Sequence, residues 1–414
     1  MERAYDVILA GGGLVGGALA CALAGKGARV AVIEAVPPGG DGQPSFDDRY
    51  TALAPSSRHI LEAWGLWPSL REALTPIRHI HVSEAGGWGF THLDAAEERM
   101  GALGWLLPNR SLGEVVTRRL AETPGVTLVT PARVAAVEHG PEAVAVTADG
   151  AGGGERLNGR LLVVADGAGS RTRELAGLTA RRRDYGQSAL VTTLTPERHH
   201  EGWAYERFTR EGSLAMLPIG DGRCAVVWSL PHARAAQYAD GDEGALLGAL
   251  QDAFGYRLGH LRGCGPRHVY PLQAVRAPRL VTDRVALAGN AAHALHPVAA
   301  QGLNLALRDA AALEEAVAGQ LEAGGDPGSD ALLRAYERQR VPDIRRTQQL
   351  TDALVRGFSL DLAPLRLLRS GALAALERSG PAKRTLMRIA AGRLGPLPRT
   401  ACRPPGTAEE EEEL

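Results

Sequence analysis

Residues 282–309 hold the side chains whose types and spacing best suit a ligand site. An apolar run ends at Asn290, His296 and Pro297 follow after small residues, and a helical pattern begins at Gln301. A strand that turns through small residues into a helix presents unpaired backbone N–H groups, which bind flat or anionic ligands. An ordinary strand–loop–helix connection has the same pattern, so this stretch alone leaves both interpretations open.

A second glycine-marked corner lies near the N-terminus. Gly11, Gly13 and Gly16 form a GxGxxG pattern between an apolar run and a helical pattern. In such a pattern the first glycine permits a tight turn, the second lets a pyrophosphate approach the backbone, and the third lets helix and strand pack closely. Glu34 ends the predicted second strand, where an acidic residue is suited to hold ribose hydroxyls. Together these features predict a dinucleotide site.

Two more charged residues are candidates for the same site. Asp166 follows the apolar run 161–165, and from a strand end its carboxylate can reach a ribose or a flavin side chain. An Asx turn is the alternative interpretation of this residue. Arg49 carries a planar guanidinium that pairs with phosphates. A surface ion pair with Asp47 or Asp48 is the alternative there.

The length, net charge and composition of the chain exclude several classes of function. The chain of 414 residues is long enough for two domains, and its net charge of −1 argues against nucleic-acid binding, which needs a positive surplus. Only 5% of the residues are aromatic, too few for a base-stacking surface. The four cysteines lack the spacing of a zinc site. We therefore expect neither a nucleic-acid partner nor a metal.

The order of elements predicts an α/β protein. Strand and helix patterns alternate in residues 1–77, 101–184 and 276–345, which predicts a discontinuous Rossmann-like nucleotide-binding domain. Residues 78–100 and 185–275 instead alternate apolar and polar side chains between turns. This texture predicts an inserted antiparallel β-sheet domain, one face of which forms the wall of a substrate pocket.

The C-terminal part is predicted to be helical and basic over residues 346–400. Between residues 356 and 399 there are nine Arg or Lys against two acidic residues. Interleaved leucines make this segment amphipathic, which suits an anionic bilayer surface or a partner protein, and equally a helix packed on the core with a basic outer face. Residues 401–414 include five consecutive glutamates and are predicted to form a disordered acidic tail.

Three segments carry a family resemblance: GGGLVGG, ADGAGSRTR and GNAAHALHPVAAQGLNLALRD. In this order they resemble the flavin-dependent aromatic hydroxylases of the para-hydroxybenzoate hydroxylase type, and within them the ubiquinone-biosynthesis branch. The resemblance extends to about residue 350. The stretches FDDRYTALAPSSRHI, ERFTREGSLAMLPIGDGRCAVVW and FGYRLGHL are most similar to hydroxylases of 2-polyprenyl-6-methoxyphenol.

The resemblance implies that FAD binds across all three segments. For the pyrophosphate and the adenosine half it implies contacts from Gly11, Gly13, Gly16, Glu34, Arg49 and Arg110. It implies that Asn290 contacts the ribityl chain and that Asp166 supports the crevice. The isoalloxazine edge is expected to face the backbone N–H groups of Gly302, Leu303 and Asn304.

The sequence departs from the family pattern at three positions. Asn290 stands where most members have aspartate, and Ala300 and Ala306 stand where the branch has glycine. An asparagine still hydrogen-bonds a ribityl hydroxyl. The methyl group of Ala300 is expected where the backbone meets the flavin, so this residue is expected to weaken FAD retention.

The chemistry implied by the resemblance is a hydroxylation. NADPH or NADH reduces FAD, dioxygen then forms a C4a-hydroperoxide, and its distal oxygen attacks a polyprenylated phenol near the loop of His296 and Pro297. The implied reaction converts 2-polyprenyl-6-methoxyphenol to the 1,4-benzoquinol in ubiquinone biosynthesis. A free phenol has a pKa near ~10, so a base that assists its ionisation is expected, and the sequence does not identify it.

The resemblance also sets expectations for location and partners. It implies a cytoplasmic protein with peripheral contact at the inner membrane surface and with other ubiquinone-biosynthesis proteins. Two alternatives remain open at the level of sequence. One is another FAD-dependent oxidoreductase of the same fold, and the other is a non-catalytic flavoprotein subunit of a membrane-associated assembly, for which Asn290 and Ala300 are the supporting features.

Overall fold

The structure is a computed structural model that describes residues 4–37, 49–150, 153–359 and 363–402. The proposed partners of Arg49, Asp47 and Asp48, lie outside the described residues, as does the predicted acidic tail from residue 403 onward.

Strands make up much of the first 300 residues. The first eleven are β1 (Ala4–Ala10), β2 (Val30–Ile33), β3 (Tyr50–Leu53), β4 (Thr75–Ile77), β5 (His79–Glu84), β6 (Phe90–Asp94), β7 (Gly104–Pro108), β8 (Val126–Val129), β9 (Ala132–His139), β10 (Val144–Gly150) and β11 (Gly153–Val164). The others are β12 (Arg181–Pro196), β13 (Trp203–Phe208), β14 (Ser213–Pro218), β15 (Cys224–Pro231), β16 (Leu261–Cys264), β17 (His268–Arg276), β18 (Val281–Thr282), β19 (Val285–Leu287) and β20 (His293–Ala294).

Helices flank the strands and form the C-terminal part. The α-helices are α1 (Leu14–Gly25), α2 (Pro55–Ala63), α3 (Asn109–Glu122), α4 (Arg171–Leu175), α5 (His232–Asp240), α6 (Glu243–Phe254), α7 (Gly302–Glu322), α8 (Asp330–Ser359), α9 (Ala363–Arg378) and α10 (Gly380–Ala390). Short 3₁₀ helices span Trp67–Ala73, Ala96–Glu98, Gly289–Ala291, Val298–Ala300 and Arg399–Ala401.

The first sheet is the nucleotide-binding layer. Its strands run in the order β18-β19-β11-β1-β2-β8, with β9 and β10 attached beside β11. The central strand β1 is parallel to both β2 and β11, and β11 is parallel to β19. Val7, Ile8 and Leu9 have no exposed surface, as expected for a parallel strand that is covered on both faces. Since chain order reverses at β1, a crevice opens at the carboxyl ends of β1 and β11.

The second sheet stands beside this layer and is mostly antiparallel. Its strands run in the order β20-β17-β12-β15-β14-β13-β5-β6, with β16 beside β12. One face packs on α5 and α6 through buried residues such as Leu190 and Trp228. Smaller apolar side chains, among them Ala189 and Val191, lie on the other face. A third, three-stranded sheet of order β3-β7-β4 packs near Ala204 of β13.

The C-terminal helices pack on both sheets. Helix α8 follows α7, and α9 lies so close to the β5–β6 turn that a Cβ on Gly89 would overlap the backbone of Ser370. The predicted tail begins at residue 401, whereas Ala401 is buried with 1% exposure in the last 3₁₀ helix. Among the described residues, none of the helices combines the length and apolarity needed to cross a membrane.

The predicted fold class is confirmed. A Rossmann-like layer, an inserted antiparallel sheet and a helical C-terminal segment are all present. One detail was wrong: the sequence pattern of the runs 126–128, 134–137 and 143–147 predicts a β-meander, but β8 pairs in parallel with β2. The reason is that α3 precedes β8 and returns the chain in the same direction, as parallel pairing requires. The boundaries of the predicted domains stay a prediction.

Candidate functional site

The glycine-rich turn after β1 packs directly against the end of β11. Gly11 has a φ angle of +101°, and a Cβ at this residue would lie 2.7 Å from the carbonyl oxygen of Ala165. A Cβ on Gly16 would overlap the carbonyl oxygen of Gly11. Only glycine at these two positions lets α1 and the two strand ends meet this closely.

The N-terminus of α1 is open to an anion. Gly13 occupies the N-cap position, no side chain in the described part of the chain caps the helix, and its first turn has no acidic residue. The first backbone N–H groups of a helix have no intrahelical acceptor, and the helix dipole favours negative charge there. A pyrophosphate therefore fits this end of α1.

Glu34 lies beside the turn, as its position after β2 predicted. Its Oε2 accepts a hydrogen bond from the backbone N–H of Gly12 at 2.6 Å, and its Oε1 accepts one from Val36 at 2.9 Å. The carboxylate thus fixes the turn, and an acceptor is available next to the position expected for a ribose.

The three glycine-marked corners meet at adjacent strand ends. The N–H of Ala165 donates to the carbonyl of Ala10 at 2.8 Å, and the N–H of Ala288 donates to Val164 at 2.9 Å. A Cβ on Gly289 would contact α1 at Val15 and α7 at Ala306. The ends of β1, β11 and β19 therefore form one crevice.

Asp166 and Asn290 both lie on the rim of this crevice. Each side chain is exposed, so each is available to a ligand. Asp166 also accepts a long hydrogen bond of 3.4 Å from the backbone N–H of Thr172 in α4, which is the Asx-type contact of the alternative interpretation. Arg173, from the same helix, is 1% exposed and donates to the carbonyl of Ala291 at 2.8 Å. This contact ties the second corner to the third.

Helix α7 begins with backbone donors. The first hydrogen bond at its N-terminus runs from the N–H of Leu305 to the carbonyl of Gln301 at 2.9 Å. The N–H groups of Gly302 and Leu303 precede it, and a Cβ on Gly302 would meet open space. A flat ligand edge with acceptor atoms fits this helix end.

The Asn304 side chain is fully engaged within the protein. Its Oδ1 accepts from the N–H of Ala54 at 2.8 Å and from the hydroxyl of Ser57 at 2.7 Å, and its Nδ2 donates to Ala52 at 2.8 Å and Ala300 at 2.9 Å. These contacts anchor the start of α7 to β3 and α2. The implied contact of Asn304 with the flavin is through its backbone N–H, and that contact stays a prediction.

The two arginine candidates lie in different settings. The guanidinium carbon of Arg49 stands 4.8 Å from the ring centre of Tyr270 on the second sheet. This cation–π contact holds the side chain between the two sheets. Arg110 is exposed in the first turn of α3.

The alanines that replace family glycines have separate consequences. Ala300 has a φ angle of +49° and Ala299 one of +62°. This left-handed conformation costs roughly 1–2 kcal/mol for a residue with a Cβ, which is a physical reason for the glycine that the family resemblance leads us to expect there. Ala306 faces Gly289, and its methyl group packs in the space that this glycine leaves.

His296 lies in the wall of a cavity between the second sheet and α8. The cavity has a volume of about 70 Å³ and is lined by Gln187, Phe208, Ser213, Val298 and Phe358, among others. Burial lowers the pKa of His296 to about 4, so the ring is neutral near pH 7. Its ring stands edge-on to Tyr185 with centres 5.0 Å apart. Pro297 opens the short 3₁₀ helix that follows the histidine.

A buried charge network behind the crevice was not predicted. The Asp309 carboxylate accepts from the N–H of Gly289 at 3.1 Å and contacts His293 at 2.5 Å and Arg340 at 2.8 Å. Burial alone would raise the pKa of Asp309, but the charges and hydrogen bonds of His293 and Arg340 outweigh it and lower the pKa to about 2. Arg340 also contacts Asp343 at 2.9 Å. Asp309 was noted only as part of the family motif, because α8 is too distant in sequence to signal the pairing.

The residues present fit an FAD. The cradle of Gly11 and Gly16 would be filled by any side chain, the N-terminus of α1 lacks a cap, and the start of α7 carries free donors beside open space. A Rossmann-like layer with such a crevice and a second sheet that walls a cavity is the architecture of a flavin-dependent monooxygenase.

Solved structures share this architecture. The p-nitrophenol 4-monooxygenase PnpA of Pseudomonas putida superposes with a TM-score of 0.78 at 21% identity, covering 95% of this chain and 100% of that one. PqsL of Pseudomonas aeruginosa, described as a probable FAD-dependent monooxygenase, superposes with a TM-score of 0.74 at 23% identity. The match covers 89% of this chain and 100% of that one. At these identities the likeness shows the fold.

Sequence comparison shows the family. The FAD binding domain family matches residues 4–351, so the chain belongs to that family, and it is an FAD-dependent monooxygenase. The ubiquinone hydroxylase UbiL of Rhodospirillum rubrum is 41% identical over 406 residues, covering 96% of this chain and 92% of that protein. The 3-demethoxyubiquinol 3-hydroxylase of Escherichia coli is 32% identical over 393 residues, covering 94% of this chain and 98% of that protein.

Proposed function

We propose that the protein hydroxylates a polyprenylated phenol in ubiquinone biosynthesis, converting 2-polyprenyl-6-methoxyphenol to the 1,4-benzoquinol. The observation that supports this most strongly is the likeness over nearly the whole length to relatives named as ubiquinone-pathway hydroxylases. The cavity between the second sheet and α8 supports an aromatic substrate, because its wall places Phe208 and Phe358 beside polar groups such as Ser213 and His296.

In this proposal FAD lies along the crevice at the strand ends. Its pyrophosphate binds at Gly11, Gly13 and Gly16, its adenosine ribose at Glu34, and its ribityl chain at Asn290. Gly302, Leu303 and the backbone of Asn304 bind the isoalloxazine edge. Arg49, Arg110 and Asp166 complete the set of proposed contacts. NADPH or NADH supplies the electrons, and the bound flavin supplies the activated oxygen.

The chain's own residues position the substrate ring. Phe208 and Phe358 stack with ring centres 3.6 Å apart and close one side of the cavity. His296, neutral near pH 7, also lines the cavity and adds no charge. By excluding water, these groups would keep the reacting ring dry while the bound flavin supplies the oxygen atom. Since about 70 Å³ is less than a prenylated phenol occupies, the isoprenoid tail extends beyond this cavity.

The test is turnover by the purified holoenzyme with NADPH, dioxygen and 2-polyprenyl-6-methoxyphenol. The expected product is the corresponding quinol, and a deletion strain should accumulate the unhydroxylated phenol in its lipid extract. One relative is named as a 3-hydroxylase acting on demethoxyubiquinol. Accumulation of a demethoxy intermediate with no turnover of the phenol would move the assignment to that ring position. A protein that neither binds FAD nor oxidises NADPH would contradict both assignments, the one on the methoxyphenol and the one on the demethoxy intermediate.

We also propose peripheral contact with an anionic membrane surface. Four large apolar side chains are exposed near the β5–β6 turn and α9, namely Trp88, Phe90, Leu367 and Leu368, with 63%, 42%, 65% and 68% exposure. The exposed arginines Arg378, Arg384 and Arg388 follow in the same C-terminal segment. Apolar side chains beside cations suit insertion at a headgroup layer, where the isoprenoid substrate resides. Other ubiquinone-biosynthesis proteins are proposed to assemble at the same membrane.

Vesicle binding tests this contact. We expect the double substitution Leu367→Ser and Leu368→Ser to weaken binding to vesicles that contain phosphatidylglycerol by about tenfold. A leucine contributes roughly 1.5–3 kcal/mol when fully buried, and a headgroup layer would bury these two only in part. Vesicles of neutral lipid serve as the control for the charge contribution. Equal binding of the variant and the parent protein would show that α9 is only a packed helix with a basic outer face.

A further inference from the structure

The face of the second sheet that looks toward the flavin layer carries one unexplained carboxyl group. Side chains alternate along each strand, so Leu190 and Tyr205 point to α5 and α6 while their neighbours point the other way. The opposite face is small and apolar at Ala189, Val191 and Val227. A carboxyl group on such a face requires an explanation, because burying one without a partner is costly.

Glu206 of β13 is that residue. It shares its face with Ala204 and Phe208, the residues two positions before and after it. Phe208 pairs with Ser213 across the β13–β14 hairpin, and both line the cavity beside His296. The carboxyl of Glu206 therefore lies behind the part of the wall that Phe208 and Ser213 form, within hydrogen-bond reach of Ser213.

The surroundings of the Glu206 carboxyl leave one of its oxygens unpaired and raise its pKa. Its Oε1 is buried and has no hydrogen-bond partner among the described residues, while the hydroxyl of Ser213 hydrogen-bonds the group. Burial raises the pKa of Glu206 to about 7, and the Ser213 contact opposes this only in part. The neighbouring carboxylate on this face, Glu84, is instead neutralised by Arg369, whose Nε lies 3.0 Å away.

We propose that Glu206 is the catalytic base that accepts the proton of the substrate's phenolic hydroxyl; this rests on the proposed function. The step is a proton transfer in which phenol and carboxylate become phenolate and carboxylic acid, with no change of oxidation state. The phenolate is the stronger electron donor for attack on an electrophilic oxygen. When the ring regains aromaticity, the carboxylic acid returns the proton to the same phenolic oxygen.

Charge around the cavity is compatible with this role. The titratable or charged groups that line it are His296, Arg210 and Glu211. His296 is neutral near pH 7, and Glu211 pairs with Arg234 at 3.0 Å. On the two strands beside β13, the residues opposite Glu206 are Ala215 and Val82, which carry no charge. A base whose pKa lies near the working pH is the most efficient kind.

The test compares Glu206→Gln with the parent holoenzyme on 6-geranyl-2-methoxyphenol and on a ring-fluorinated analogue whose hydroxyl is more acidic. With the parent phenol we expect kcat/KM for product to fall at least about 100-fold, a typical contribution of a general base. With the fluorinated phenol the loss should shrink, because less help with ionisation is needed. The rise of kcat/KM with pH through about 7 should also disappear in the variant.

Flavin content and an unrelated glutamate serve as controls. Glu201→Gln, at an exposed position before β13, should match the parent protein. Glu206→Gln should retain FAD and its NADPH oxidation, and Glu206→Asp should recover part of the activity if the first variant folds poorly. An equal loss on both phenols, an unchanged pH profile, or no loss would overturn the role of Glu206. If the parent enzyme itself forms no quinol, the proposed function fails instead.

Discussion

The substitution Gly11→Ala most directly tests the close backbone packing that forms the nucleotide crevice. Gly11 has a φ angle of +101°, so an alanine there pays the left-handed penalty of roughly 1–2 kcal/mol. Its Cβ would also lie 2.7 Å from the Ala165 carbonyl oxygen, inside the 3.0 Å limit of real Cβ contacts, and that oxygen belongs to rigid backbone. Such overpacking adds about 1–3 kcal/mol. We therefore expect a total destabilisation of about 2–5 kcal/mol.

Gly27→Ala is the matched control. Gly27 has a φ angle of +86° at the far end of α1, but a Cβ there would meet nothing within 4 Å. An alanine at this position costs about 1–2 kcal/mol through the left-handed backbone conformation alone, with no steric clash. Urea unfolding gives the two free energies, and fluorescence titration of the stripped proteins gives their FAD affinities. Gly11→Ala should bind FAD at least about tenfold more weakly, a loss of ~1.4 kcal/mol, while Gly27→Ala should bind like the parent. Equal effects of the two substitutions would refute the close approach at Gly11.

Two further predictions concern the supports of the site. Asp309→Asn should lower the free energy of unfolding by about 1–3 kcal/mol, because the buried Arg340 loses one of its two carboxylate partners and keeps only Asp343. The folded pKa of Asp309, about 2, lies below the ordinary 3.8, so its stabilisation is complete above about pH 4 and lost as the pH falls toward 2. Urea unfolding at pH 5 and pH 3 should show this loss in the parent but not in the variant. Ala300→Gly should relieve roughly 1 kcal/mol of left-handed strain and tighten FAD binding, which the same titration measures; weaker binding would contradict the argument.

The fold was largely predictable because its signals are local. The GxGxxG turn, the strand before it and Glu34 lie within the first 34 residues, and the structure has them as β1, α1 and a carboxylate on Gly12. The alternation that predicted the second sheet also depends only on neighbouring residues. The wrong assignment of β8 to a meander arose because parallel and antiparallel partners are not distinguished by the strand's own residues.

The site was less predictable where it depends on tertiary contacts. The sequence implied a backbone contact from Asn304 and no role for its side chain, which the fold shows to hold β3 and the start of α2. The pairing of Asp309 with Arg340 joins α7 to α8, and no local pattern marks it. Glu206 is one glutamate among many in the sequence, and its buried position on the cavity side of β13 singles it out.

Turnover of the holoenzyme under isotopically labelled dioxygen tests the central claim most directly. Mass spectrometry of the quinol formed from 2-polyprenyl-6-methoxyphenol and NADPH should show one labelled oxygen atom on the ring. A quinol whose new oxygen comes from water, or NADPH oxidation that yields only hydrogen peroxide with every phenol supplied, would contradict the account of this crevice as a hydroxylase site.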